Sequence, residues 1–364
     1  MKILQLITSL RTGGAERVVV DLAKQFRQSG DDVTLLLLDG TRTPLLEEAE
    51  ASGIAVHAFS KGWRAMRNPL LIFPLLRYLR RNRCAVVHTH NTACQVLAAV
   101  ASCLVPLHLV TTEHNTDNRR RRWKGFRVVD RWMYRRYRQI VCVSEAARTA
   151  LDAYLADPVL TGRMSVIPNG IDIWRFASAG PAADLPGQDV HKILMVSAFR
   201  PQKDQQTLIR AMRQLPEDYR LYLAGGAETD ADRRQLADCQ RLVAELGLKD
   251  RVCFLGIRRD VPQLLAGADV VVLSTHYEGM PLSVLEAMAS GRPFVASDVP
   301  GVHDLVSGAG LLFPQGDASS LATMLRRICE TPGCSDEVRT KCACRARACD
   351  VFETAARYKK AYSF

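Results

Sequence analysis

Short apolar runs recur along the chain, each followed by a longer stretch in which apolar residues return every three or four positions. KILQLIT, DVTLLLL, AVVHTH, HLVTTEH and QIVCVS read as strands, being short, β-branched and bounded by turn residues. Between the first two lies AERVVVDLAKQFRQSG, an amphipathic helix that stops at Gly30. After VIPNGID the periodicity lapses through IWRFASAGPAADLPGQDVH, which is rich in Gly and Pro and reads as a linker. It then restarts: KILMVSAF, YRLYLAG, RVCFLG, VVVLST and PFVAS give five further strands, separated by helices such as DQQTLIRAMRQL and ADCQRLVAELG. Strands alternating with helices imply βα units around a parallel sheet. The expected fold is therefore α/β, with two doubly wound Rossmann-like domains. Residues 1–170 form the first domain and 171–190 the linker. Residues 191–340 form the second, and a helical segment at 341–364 crosses back onto the first.

A chain of 364 residues exceeds what a single core usually serves, which agrees with two domains. The apolar start MKILQLITSL runs straight into Gly13-Gly14 and reads as a strand, not a signal peptide; the stretch from Val96 to Leu107 is too short to span a bilayer. The eleven cysteines are odd in number, several stand in apolar runs, and none forms a CxxC pair, so a reduced cytosolic protein is expected. The net charge of +11 is unevenly placed: residues 1–170 hold 25 Lys plus Arg against 14 Asp plus Glu. Its centre is RRRRWKGFRVVDRWMYRRYR at 119–138, where Arg119, Arg120, Arg121, Arg122 and Trp123 lead a basic, aromatic segment. Such a segment suits anionic lipid headgroups, a lipid diphosphate or nucleic acid; it also suits a solvated helix whose aromatics pack inward.

The densest chemistry lies in HYEGMPLSVLE. Pro281 is tolerated in a helix's first turn, so Glu278 belongs to the loop and Glu286 to the helix about a turn and a half in. The free N–H groups near Met280 to Ser283 then lie at the positive end of the helix dipole, suited to a diphosphate, and make Gly279, Met280, Pro281 and Leu282 the donor-binding stretch. Carboxylates for hydroxyls and N–H donors for phosphates together suit a nucleotide sugar. Arg200 and Lys203 follow the second domain's first strand, where two cations can neutralise a leaving diphosphate. Gly13 and Gly14 end the chain's first strand and allow close approach to the backbone; the pattern is not GxGxxG. His88, His90 and His114 fall at strand ends; a metal site lacks a DxD or His-x3-His element, leaving a hydrogen-bonding role for His114 or simple packing.

These blocks, in order GGAER, TEHN, VIPNGID, AFRPQKD, FLG and EGMPLSVLEAMASGRPFVAS, resemble the retaining nucleotide-sugar glycosyltransferases of family 4, of bacterial surface-glycan type. The resemblance covers nearly the whole chain and implies a GT-B fold whose two domains face across a cleft. It implies that Glu278 lies near the donor sugar, that Glu286 binds the ribose, and that Arg200 and Lys203 bind the diphosphate. Met280, Pro281 and Leu282 would contribute through the backbone. Gly14 would approach from the opposite wall and His114 would contact the transferred sugar, with the base against Gly256 and Ile257. Front-face displacement, no metal and no cofactor beyond the nucleotide-sugar co-substrate are implied. Expected partners are that donor, with uridine diphosphate first and guanosine diphosphate mannose second, a glycan or lipid-linked acceptor, and an anionic membrane surface at the cytoplasmic face. Nucleic acid is not expected. Where many relatives have two glycines and a Glu, this chain has DVPGVHDLV, which leaves Asp304 as the replacement. A binding protein that kept the fold without catalysis, and a sugar epimerase, are the competing readings.

Overall fold

A computed structural model of the chain describes residues 1–363 apart from 12, 63–67, 117–120, 122, 124, 182–184 and 188. The chain forms two compact units, Met1–Ile171 with Val351–Phe364, and Asp172–Asp350.

The first unit is built on a parallel sheet of seven strands: β1 (Lys2–Ile7), β2 (Asp32–Asp39), β3 (Ala55–Ser60), β4 (Val86–His90), β5 (Leu109–Glu113), β6 (Gln139–Cys142) and β7 (Met164–Val166). Their spatial order is β3-β2-β1-β4-β5-β6-β7, so the chain reverses direction across the sheet between β1 and β4. Alternation sends Leu4 and Leu6 of β1 and Val87 of β4 to one face, where they pack with Leu75, Leu79, Ala98, Met133 and Leu151 of the covering helices. The opposite face of the same strands carries Gln5, His88 and His90, all fully buried.

The second unit holds β8 (His191–Val196), β9 (Tyr219–Ala224), β10 (Val252–Gly256), β11 (Val270–Leu273), β12 (Phe294–Asp298) and β13 (Leu311–Pro314). These six are parallel in the order β10-β9-β8-β11-β12-β13, and here the reversal falls between β8 and β11. In open α/β sheets such a reversal opens a crevice at the strands' carboxyl ends, where ligands bind.

Three strands, β3, β7 and β13, escape the sequence pattern. Each lies at or ends on a sheet edge, and each is short or exposed, so alternation has little to register. The boundaries also differ from those expected. The segment read as linker contains the helix Ile173–Ala177, which packs on helices Val261–Gly267 and Leu282–Ala289 of the second unit. The return to the first unit starts at Val351, not 341, because helix Cys334–Arg347 packs against Leu282–Ala289. Helix Val351–Tyr362 docks on helix Gly14–Gln28 of the first unit. Gly170 permits this: a Cβ there would lie 2.6 Å from Val351 Cα.

Candidate active site

In the second unit the loops after β8 and β11 meet at the reversal. Residues Lys203 and Thr275 form an antiparallel bridge, flanked by Asp204 N–H to Ser274 O at 3.0 Å and His276 N–H to Gln202 O at 2.9 Å. Gln202 Nε2 donates to Tyr277 O at 2.6 Å and tightens the same seam. Across it, Lys203 Nζ forms an ion pair with Glu278 Oε1, which also accepts from Thr275 Oγ1 at 3.0 Å. Both charged side chains are mostly buried, Lys203 at 14% exposure and Glu278 at 9%. The sequence placed these two at one strand edge; the structure puts them in contact. Arg200 stands on the same loop, exposed at the surface.

Beyond Glu278, Gly279 is buried and Met280 half-buried, and Pro281 precedes helix Leu282–Ala289, whose amino end carries no side-chain cap. A helix amino end without a side-chain cap, following the paired Glu278 in the chain, is of the kind that suits an anion. Glu286 is the fifth residue of that helix and half-buried. Gly301 presses on the loop: with φ +81, its absent Cβ would lie 2.4 Å from the carbonyl oxygens of Glu278 and Gly279. A second close approach was missed in the sequence. Gly225 follows β9, and a Cβ there would lie 1.9 Å from Ser197 O, so only glycine lets the loops after β8 and β9 touch. Gly225 N–H donates to Gly256 O at 2.8 Å, and Ile257 follows, 64% exposed. The signal for Gly225 was present as glycine directly after a strand.

In the first unit, Gly13 precedes helix Gly14–Gln28 in extended backbone, and a Cβ on it would meet only the flexible end of Glu16. The fold itself does not demand glycine there; an approaching ligand would. Gly14 is exposed at the helix start. His114 Nε2 lies 3.0 Å from His90 Nδ1. Burial lowers His114 to about 4 despite the neighbouring Glu113, and holds His88 and His90 well below the usual imidazole range. Among the described residues no group of three or more His, Cys, Asp or Glu is arranged to hold a metal ion.

The basic segment requires a correction. Arg121 is not a surface cation: it is 7% exposed and donates to Glu113 Oε2 at 2.8 Å. The buried Glu113 also accepts from Tyr134 OH and Gln95 Nε2, each at 2.5 Å, so an arginine is needed to neutralise it. Arg119, Arg120 and Arg122 lie outside the described residues. Trp123 is 69% exposed, and on helix Phe126–Tyr134 only Asp130, Met133 and Tyr134 turn inward. Phe126, Val128, Val129 and Trp132 remain exposed, with the Arg136 guanidinium 5.3 Å from the Trp132 ring centre.

Comparison with known proteins places these features in a family. Residues 12–175 match the model described as Glycosyltransferase Family 4, and residues 190–331 match Glycosyl transferases group 1. The chain belongs to the family 4 glycosyltransferases. It is 26% identical over 339 residues to the Escherichia coli UDP-Gal:alpha-D-GlcNAc-diphosphoundecaprenol alpha-1,3-galactosyltransferase, covering 86% of this chain and 84% of that one. Anabaena HepE in complex with UDP-glucose superposes with a TM-score of 0.87 at 24% identity, covering 99% of this chain and 98% of the other. Sucrose-phosphate synthase from Thermosynechococcus elongatus gives a TM-score of 0.81 at 21% identity, covering 100% and 98%. The likeness shows the GT-B fold.

Proposed function

We propose that this glycosyltransferase moves a hexose from a uridine diphosphate sugar to a lipid-linked or polysaccharide acceptor, with retention of anomeric configuration and without a metal ion. The supporting observation is the Lys203–Glu278 pair, fastened by Thr275 at the reversal between β8 and β11 and adjoining the uncapped helix end. The E. coli relative's name specifies a UDP-hexose donor and a diphosphoundecaprenol acceptor, and HepE is seen with UDP-glucose. In this reading Arg200, Lys203 and the N–H groups near Met280–Leu282 take the charge that develops on the departing diphosphate. Glu286 accepts from the ribose hydroxyls, Glu278 orients the sugar, and the base lies against Gly256 and Ile257. The anomeric C–O bond to phosphate breaks with its electron pair leaving on the diphosphate. The acceptor hydroxyl attacks the same face and gives its proton to that leaving group. On the first unit, His114, Gly13 and Gly14 are the groups proposed to meet the sugar. The test is release of uridine diphosphate that requires both acceptor and a UDP-hexose and persists in excess chelator. Release without acceptor, or abolished by the chelator, would contradict the reading.

The acceptor's membrane determines a second part of the proposal. Helices Ile72–Asn82, Thr92–Ala101 and Phe126–Tyr134 pack side by side and leave Phe73, Val96, Val100 and Trp132 exposed. Exposed Arg77 and Arg127 stand on two of these helices, and exposed Arg136 lies just past the end of Phe126–Tyr134. Apolar side chains interleaved with arginines suit the interface of an anionic bilayer, so the enzyme works as a peripheral protein at the cytoplasmic face. No helix among the described residues is long and apolar enough to cross a membrane. Flotation with vesicles containing anionic lipid, weakened by salt, is expected; no flotation at low salt would count against it.

A further inference from the structure

A polar residue stands at the centre of the apolar first strand, and the structure shows what it serves. Gln5 shares a sheet face with His88 and His90, two residues apart on β4, and with Thr112 of β5. Over this face lies helix Val351–Tyr362, whose Tyr358 and Tyr362 stand one helical turn apart. The polar atoms join end to end. His114 Nε2 meets His90 Nδ1 at 3.0 Å, His90 Nε2 meets Gln5 Oε1 at 2.7 Å, and Gln5 Nε2 meets Tyr362 OH at 3.3 Å. The chain continues from Tyr362 OH to His88 Nδ1 at 2.7 Å and from His88 Nε2 to Thr112 Oγ1 at 2.8 Å.

Each buried link needs one donor and one acceptor. Gln5 Oε1 can only accept, so His90 carries its proton on Nε2 and its Nδ1 accepts. His114 must then donate from Nε2. Along the rest of the chain Gln5 donates to Tyr362, Tyr362 to His88 Nδ1, and His88 Nε2 to Thr112. All three histidines take the Nε2–H form, which neutral imidazole prefers in water. Turning the Gln5 amide over would reverse every link. Burial keeps the three rings neutral, so the direction persists through the physiological range.

We propose that Gln5 and His90 are positioning residues that hold His114 as the Nε2–H tautomer, presenting its Nδ1 lone pair as an acceptor for a ligand hydroxyl. This rests on the reading that His114 contacts the sugar. It narrows the group that meets His114 to a proton donor, which a sugar hydroxyl is and a phosphate oxygen is not. The chain also makes helix Val351–Tyr362 part of the support of the site through Tyr362.

The test uses the full chain labelled with ¹⁵N-histidine and correlates ring nitrogens with ring protons from about pH 6 to 8. The expected result is His114 protonated at Nε2 and bare at Nδ1 throughout; an Nδ1–H ring, or a ring that titrates in this range, overturns the proposal. His90→Leu should lower kcat about tenfold with KM for the donor unchanged, and His90→Gln, whose amide oxygen still accepts, should recover most of it. Equal loss in both variants would also overturn it. The spectrum is read without ligand, so a bare Nδ1 in a protein that transfers no sugar supports this proposal while rejecting the transferase reading.

Discussion

Lys203 and Glu278, 75 residues apart in the chain, form a nearly buried ion pair that closes the seam between the loops after β8 and β11. Neither loop holds its shape by regular secondary structure, so the pair and the Thr275 bridge define where the candidate site's charges stand. A half-broken pair leaves a charge stranded in a low-dielectric setting, which costs more than the pair gains when intact. Lys203→Met is therefore expected to destabilise the protein by about 3 kcal/mol, and Lys203→Met with Glu278→Leu to be the more stable of the two. Denaturant titration of both variants checks this; additive losses would show that the residues do not couple.

Arg200 has a different role, because its exposed side chain leaves little folding energy at stake. Arg200→Ala should retain wild-type stability and lose about 10²-fold in turnover, as expected when one preorganised cation leaves a developing charge. Steady-state kinetics with a UDP-hexose decides it, and unchanged turnover would remove Arg200 from the site.

Gly301→Ala should distort the Glu278–Gly279 loop, since its Cβ has no room against two carbonyl oxygens and its φ is +81. A fall in nucleotide-sugar affinity together with a loss of about 2 kcal/mol is expected, by calorimetry and thermal melting. A neutral substitution would mean that the loop moves freely.

Acid should weaken the first unit before its carboxylates titrate. Burial holds His88, His90 and His114 below the ordinary imidazole range. Below about pH 6.5 the unfolded chain takes up protons that the folded chain refuses. Stability is thus full above that pH and falls towards pH 4.5 by up to about 1.4 kcal/mol per pH unit for each histidine. Urea midpoints measured across this window should decline with acid, and less steeply in a His88→Gln variant; a flat profile would contradict the buried neutral rings.

Arg121 and Trp123 should separate two effects that the sequence presented as one. Arg121→Ala strands Glu113 and should cost about 3 kcal/mol. Trp123→Ser, at an exposed position, should leave the melting temperature within about a degree and reduce vesicle binding. Thermal melting and flotation of the two variants give the comparison.

The sequence by itself determined the two Rossmann-like units, because strands buried on both faces must be continuously apolar, as DVTLLLL and VVVLST are. It also placed Glu278 before a helix and Glu286 on it, since proline and the run that follows set that local geometry. Edge strands such as β3 and β7 were not legible, because their faces are open to water or too short for a period. Only the tertiary structure decided which residues meet across those units' sheets. Parallel order, with its reversals at β1/β4 and β8/β11, brings Lys203 to Glu278 and Gln5 to His90 from distant parts of the chain. It also took Arg121 from an apparent surface patch into a buried pair with Glu113. The physical reason is common to all three. Apolar periodicity encodes burial one residue at a time, whereas the partner of a buried polar group is chosen by strand order and long-range packing.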